Sequence, residues 1–347
     1  MRRNLRVEIE TALEGGIPRV TPLTLYDLLV PPNFEIDHLC AQGLAIAARR
    51  DIYRIEYRDV TVRQIHEKGG IRRTIYQTPI GSLSEVQQMG LYNAYCPLEH
   101  PIKQESDYRI AEFIVNHTHY LPRFSQFLEE KRKIADAGIV IAHTCYSPLL
   151  DIQIRWIGQE RFCYELTDHE DALMSLYACL RTKQREMYSL VASSPTRYCL
   201  YGGNIVPEMV GPDRVRKYVL PCWQEFAEVL ANENKKLGVH LDAENRLISD
   251  IIAESDLYFV EALTPPPDCS ISVAEAREIW PDKKIWINFP SSIHICPDDR
   301  IRTTTRELLE QAGKRDGFLI GVTEDIPVQH MNRSLSIILQ TIKEYCR

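Results

Sequence analysis

Lys235-Lys-Leu-Gly-Val-His-Leu-Asp242 is a short apolar run that ends in an imidazole and a carboxylate, and a helix-like segment, Ala243 to Ala253, follows it at once. An apolar run feeding a helix reads as one βα unit, and in parallel α/β proteins chemistry collects at the carboxyl ends of the strands. Side chains alternate along a strand, so His240 and Asp242, two positions apart, face the same way. Together they are a two-ligand half-site for a metal. Asp242 equally suits the cap of the following helix, and His240 an ordinary hydrogen bond.

The same unit recurs along the chain. Gly138-Ile-Val-Ile-Ala142, Arg197-Tyr-Cys-Leu-Tyr201, Gly238-Val-His-Leu241, Leu257-Tyr-Phe-Val-Glu261, Lys284-Ile-Trp-Ile-Asn288 and Gly317-Phe-Leu-Ile-Gly321 are short apolar strand candidates. Arg19 to Leu25 adds a seventh, and the eighth is expected in the region before residue 138. Short apolar strands separated by helices mean a parallel sheet buried on both faces, and this many repeats favour closure into a single (β/α)8 TIM barrel.

The rhythm breaks in the first third. Val7 to Glu14 and Glu35 to Arg49 carry helical spacing, the second predicting the first barrel helix. Ile52 to Ile65 and Arg72 to Thr78 alternate around Glu67-Lys-Gly-Gly70, which is a hairpin signal. Pro79-Ile-Gly-Ser-Leu-Ser84 is expected to lead into a short helix capped by Ser82 or Ser84. Tyr108 to Asn116 and Leu121 to Ala137 read as helices. The expected organisation is one barrel domain over residues 1–347, with an inserted β-hairpin and helices at about 50–130.

Composition narrows the class. A hydrophobic content of 44%, a mean hydropathy of −0.26 and no apolar run of membrane-spanning length indicate a soluble globular protein without a membrane partner. Met1-Arg-Arg-Asn-Leu-Arg lacks the apolar core of a signal peptide, so the expected location is cytoplasmic. Ten cysteines occur without a CxxC pair, which suits reduced thiols better than disulfides or a zinc ribbon. A net charge of −7 with no long basic run argues against nucleic acid as partner. No GxGxxG follows the first strand, so a nicotinamide cofactor is not supported.

The residues at the strand ends form one constellation: His143, Thr144, Cys145 and Tyr146, then Gly202, Gly203 and Asn204, then His240 and Asp242, Glu261, Asn288, and finally Thr323 and Glu324. In a closed barrel these loops converge on one mouth. A histidine with two or three carboxylates is a zinc set that leaves a position open for substrate. His240, Asp242, Glu261 and Glu324 are therefore the expected metal ligands, with His240, Asp242 and Glu324 carrying the chemistry. Each has another possible use: Glu261 can bind loop amides ahead of Ala-Leu-Thr-Pro-Pro-Pro, Glu324 can cap the last helix, and His143 can be a core residue.

Several longer stretches resemble the uroporphyrinogen decarboxylase superfamily: Thr78-Pro-Ile-Gly-Ser-Leu, Glu99-His-Pro-Ile-Lys-Gln-Glu-Ser-Asp-Tyr108, Asn204-Ile-Val-Pro-Glu-Met-Val-Gly-Pro-Asp-Arg-Val-Arg-Lys-Tyr-Val-Leu-Pro221 and Gly238-Val-His-Leu-Asp242, with Arg2 to Arg19 ahead of a strand. The resemblance implies a (β/α)8 barrel that is either a decarboxylase or a cobalamin-linked methyltransferase. The decarboxylase carries an Arg-Gln-Ala-Gly-Arg motif near its first strand, and Arg19 to Asp27 holds neither the arginine pair nor the glycine. In the methyltransferase branch the zinc ligands are a His-x-Cys pair at a strand end and a later Cys. His240 matches the His, Asp242 stands at the first Cys and Glu324 lies close to the second, while Glu261 is near the zinc-ligating Glu of the methionine synthase relatives. Both thiolates are absent, so the implied zinc has oxygen ligands instead.

Oxygen ligands donate less charge than thiolates, which makes the metal a stronger Lewis acid toward a leaving oxygen or nitrogen. The resemblance thus implies transfer of a methyl group from a small ether or amine to a corrinoid on a partner protein, with a homodimer also compatible. Tyr26, Tyr146, Trp286 and Phe289 are expected to clasp a methoxylated aromatic donor, with Asn204 and Asn288 beside them as substrate contacts. Two alternatives stay open: a decarboxylase or lyase acting on a smaller acid with no metal, and a non-catalytic subunit that docks a corrinoid protein.

Overall fold

A computed structural model describes residues 4–90 and 95–347. The strands among them, in chain order, are β1 (Leu23–Tyr26), β2 (Leu44–Asp51), β3 (Tyr53–Tyr57), β4 (Thr61–Glu67), β5 (Ile71–Thr78), β6 (Gly81–Met89), β7 (Tyr95–Glu99), β8 (Thr118–Pro122), β9 (Gly138–Tyr146), β10 (Tyr198–Gly202), β11 (Lys236–His240), β12 (Phe259–Leu263), β13 (Lys284–Asn288) and β14 (Phe318–Val322). Eight of them close a barrel in the order β1-β14-β13-β12-β11-β10-β9-β2. Helices separate its strands, as a (β/α)8 barrel requires. The strands β10, β12 and β14 are buried along their whole length, which is why they read as unbroken apolar runs. No helix among the described residues is long and apolar enough to cross a membrane.

The eighth strand lies where a helix was expected. Within Glu35–Arg49 only Asp37–Gln42 is helical. Gly43, at φ 107°, ends the helix in the left-handed region and its N–H donates to the Cys40 carbonyl at 2.9 Å, a stop for which glycine is suited. Leu44-Ala-Ile-Ala-Ala48 then runs on as β2 between β1 and β9. An Ala/Leu/Ile run buried on both faces has no period to mark it as strand.

A second correction concerns Ser82 and Ser84. They cap no helix, because Thr78-Pro-Ile-Gly81 is a tight turn in which the Thr78 hydroxyl accepts from the Ile80 N–H and donates to the Gly81 carbonyl. The chain leaves it as β6, with Ser82 opposite Gln77 and Ser84 opposite Ile75 on β5. The expected hairpin is present as β4 and β5 and belongs to a four-stranded antiparallel sheet, β4-β5-β6-β7. Leu121 lies in β8, which pairs with β3, and the helix expected from Leu121 starts at Phe124.

The chain divides into two compact units. The first comprises residues 4–51, 124–144 and 195–347 and contains the barrel. The second comprises 52–123 and 145–194, and contains the two small antiparallel sheets and the long helix Glu170–Ala192. Within it the Tyr108 hydroxyl donates to Glu165 at 3.0 Å, tying helix Asp107–Asn116 to helix Gln159–Asp168.

Candidate metal centre

Side-chain parity decides which barrel residues point inward, because residues in register on parallel strands lie side by side on one face. His240 is in register with Glu261, and Glu261 with Trp286, so three neighbouring strands present them in a row. Tyr26 donates its hydroxyl to Glu261 Oε1 although β1 and β12 are not neighbours. That row therefore faces the barrel lumen. Tyr26 is in register with Ala47, which sends Arg49 inward two residues later. Arg49 is in register with Ile141, which sends His143 inward by the same step.

Two further carboxylates stand just beyond the strand ends. Asp242 follows β11, and its Oδ2 lies 3.4 Å from His240 Nε2. Glu324 follows β14 on a segment fixed by Asn288, whose Oδ1 accepts the Thr323 N–H at 3.0 Å and whose Nδ2 donates to the Thr264 hydroxyl. His240, Asp242 and Glu324 each offer one ligand atom, and these atoms lie within 4.8 Å of one another. Ligands about 2 Å from a zinc ion stand within about 4 Å of each other. The donor set therefore fits a divalent cation after a small closure.

Glu261 stands apart from these three. It is 0% exposed and both its oxygens are engaged, Oε1 by Tyr26 and Oε2 by His240 Nδ1 at 2.6 Å. A carboxylate on the far ring nitrogen fixes the tautomer and turns Nε2 toward Asp242 and Glu324. In this arrangement Glu261 orients the His240 ring. Trp286 and Phe289 are also fully buried, and the Trp286 indole donates to the Thr24 hydroxyl at 3.1 Å. They pack the barrel rather than line an open mouth, a correction to the aromatic clasp expected from their place at a strand end. Asn288 has both ends of its amide committed to the protein. Asn204 is exposed, with a left-handed backbone at φ 54°. Cys145 and Tyr146 fall in the second unit, where Gln184 donates to the Tyr146 carbonyl at 2.8 Å.

Charge couples the group. Burial works against a proton on His240, but Glu261 and Asp242 outweigh it and raise its pKa to about 10. The Asp242 pKa is lowered: its partial burial works the other way, and hydrogen bonding and charge from His240 prevail. Glu324 is raised by burial and by the negative charge of Asp242. Two carboxylates that repel across a short gap beside a histidine are a place where a cation removes strain. His143 is lowered to about 4 by burial and by the positive charges of Arg49 and His240, and is neutral at pH 7.

Arg49 is the participant that sequence reading missed. Its guanidinium carbon lies 4.2 Å from the centre of the Tyr26 ring, and its charge acts on Asp242, Glu324 and His143. The helical reading of Glu35–Arg49 hid it. Read as a strand, that stretch sends Arg49 inward by the parity of Ala45 and Ala47.

Gly203 sets how closely the chain after β10 approaches β11. A Cβ there would lie 1.5 Å from the His240 carbonyl oxygen, so any larger residue must displace the backbone that carries the histidine. Gly203→Ala is expected to cost at least about 1–3 kcal/mol and to weaken metal retention with it. Thermal unfolding with and without added zinc reads both, and a parent-like melting temperature would show that the chain after β10 yields instead.

No protein-family model matches the chain, and no curated protein matches it. Among solved structures, a methyltransferase from Methanosarcina mazei is similar at 12% identity with a TM-score of 0.61, the match covering 99% of both chains. A glycoside hydrolase family 5 enzyme from Prevotella bryantii is similar at 10% identity with a TM-score of 0.48, covering 98% of both. At these identities the likeness is one of fold, and it extends along the whole chain of the Methanosarcina methyltransferase.

Proposed function

We propose that this chain is a metal-dependent methyltransferase that moves a methyl group from a small methylated ether or amine to a corrinoid carried by a partner protein. The observation that carries the reading is the convergence of His240 Nε2 with the Asp242 and Glu324 carboxylates at the carboxyl end of the barrel. The full-length fold likeness to a methyltransferase supports it. His240, Asp242 and Glu324 would hold the metal, which when bound supplies Lewis acidity at the donor's leaving oxygen or nitrogen. Glu261 keeps the proton of His240 on Nδ1. Arg49 balances the acidic charge around the site.

The test is methyl transfer from methoxybenzoates and methylamines to free cob(I)alamin by zinc-loaded protein, followed as the loss of cob(I)alamin absorbance. Absence of transfer from every donor by fully loaded protein would sink the proposal. Asp242→Cys with Glu324→Cys would rebuild a thiolate set. We expect that double variant to keep zinc but lose transfer from ethers and amines, because thiolates weaken the metal as a Lewis acid. The proton affinity of Glu324 also supports a second reading, a metal-free lyase with Asp242 and Glu324 as proton carriers. Metal content of active protein separates the two.

A further inference from the structure

Arg49 enters the barrel lumen with its charge unanswered. The flanking strands fix its surroundings. Tyr26 on β1 is in register with Ala47, the inward residue before Arg49, while Ile141 on β9 is in register with Arg49 itself and His143 is the inward residue after it. None of these carries a negative charge at pH 7. Asp51, the next residue on that face of β2, is exposed and has partners of its own. The guanidinium carbon lies 4.2 Å from the centre of the Tyr26 ring. A cation over a ring engages the charge but gives its N–H donors no acceptor atom. Among the described residues the Arg49 side chain makes no hydrogen bond and no ion pair, and it is half-buried.

Folding supplies little reason for such a group, because a partly desolvated guanidinium without acceptors loses hydration and recovers little of it. The carboxylates of the same mouth are committed elsewhere. Both oxygens of Glu261 are taken, by Tyr26 and His240. Asp242 and Glu324 converge with His240 within 4.8 Å, and a divalent cation held there neutralises them. Arg49 is then left to find its counter-ion outside the protein. The Tyr26 ring measures the gap. It stacks on the His240 ring with centres 6.4 Å apart and on its own carries the guanidinium at 4.2 Å, so guanidinium and imidazole are separated by no more than these two distances together. That is the span of a small molecule whose acid group and methyl-bearing atom are at most a ring apart.

We propose that the small molecule bound in this mouth is a carboxylic acid, with Arg49 holding its carboxylate and its methyl-bearing oxygen or nitrogen beside His240. The assignment of that molecule as the methyl donor rests on the methyl-transfer reading above. The planar fork accepts a carboxylate two bonds at a time, and fixing the far end of the donor sets the position of the atom that loses the methyl group.

Calorimetric titration of the full chain, metal-free and zinc-loaded, with donors in matched acid and amide form tests the assignment. 4-Methoxybenzoate against 4-methoxybenzamide represents an ether, and N,N-dimethylglycine against its amide an amine. At least one acid is expected to bind about 10- to 100-fold more tightly than its amide, with or without zinc. Arg49→Met should abolish that preference, and Arg49→Lys, which keeps the charge without the fork, should retain part of it. Arg49→Gln carries the test if Arg49→Met fails to fold. Equal binding of acid and amide in both pairs, no binding of any, or parent-like preference in folded Arg49→Met overturns the proposal. So does a preference that exists only with zinc and survives Arg49→Met, since the metal itself would then hold the carboxylate. Faster transfer to cob(I)alamin from the amides than from the acids overturns it while leaving methyl transfer in place. Absence of transfer from any donor, with an acid preference that depends on Arg49, removes the reaction and upholds the acid site.

Discussion

Glu324→Gln is expected to strip the metal from the protein while leaving the fold intact. The amide keeps the size and most hydrogen bonds of the carboxyl but removes a charge that holds the cation. Glu324 is the least buried of the three candidate ligands, so the fold loses little. Changes outside the direct ligands cost about 10-fold or more in metal affinity, and loss of a ligand should exceed that. Metal analysis after dialysis against a weak chelator reads the effect. Retention of parent-level metal by Glu324→Gln would remove this residue from the site. Metal-free parent protein whose turnover is abolished by Glu324→Gln would instead make it the proton carrier of a lyase.

pH gives this prediction a sign. Metal must displace the proton that the carboxylates hold on His240 Nε2, so affinity should strengthen as pH rises toward about 10, with proton release on binding. Metal-free protein should behave in the opposite way. The folded pKa of His240 lies above its ordinary value, so its contribution to stability is complete below about pH 6.5 and is lost as pH rises through about 10. His143 has its folded pKa lowered to about 4. Its contribution is complete above about pH 6.5 and is lost as pH falls toward 4. Together the two histidines place the stability maximum of metal-free protein near neutrality.

Glu261→Leu should be the most damaging single change at the barrel mouth. It removes the shared partner of Tyr26 and His240 and leaves two buried polar groups facing an apolar side chain. Removing one partner from a buried charged pair typically costs about 3–5 kcal/mol, which denaturant unfolding at pH 7 can measure. Glu261→Gln keeps the volume and removes the influence that, after burial, acts most strongly on His240. The His240 pKa should then fall toward its ordinary value, and the decline in stability between pH 7 and 10 should flatten. An NMR titration of His240 that matches the parent would show that Asp242 alone sustains its charge.

The barrel was legible because its later strands are short, apolar and regularly spaced. Val239, Phe259, Ile285 and Leu319 lie on runs buried on both faces, and burial on both faces leaves an unbroken apolar run in any chain that adopts it. His240, Asp242 and Glu324 were legible for a related reason. Each stands at or just past the end of such a run, and closure of the sheet brings run ends together whatever their separation in sequence.

Other features were written in the chain without being readable from it. Leu44-Ala-Ile-Ala-Ala48 satisfies a helix and a doubly buried strand equally, and only β1 and β9 as partners decide between them. Arg49 shared that ambiguity. Thr78-Pro-Ile-Gly81 suits a helix entry as well as a turn, and the pairing of β6 with β5 settles it. The roles of Glu261 and Trp286 lay further out of reach, since residue type and position at a strand end are the same for a ligand, an orienting group and a core side chain. What separates them is contact across the lumen: Glu261 reaches Tyr26 and His240 at once, and Trp286 is spent on Thr24. The sequence by itself therefore determined the strand periodicity, the barrel and the residue types at its mouth. Tertiary structure alone decided which of those residues face open space and which are consumed by one another, because hydrogen bonds between distant strands leave no local trace in the order of the residues.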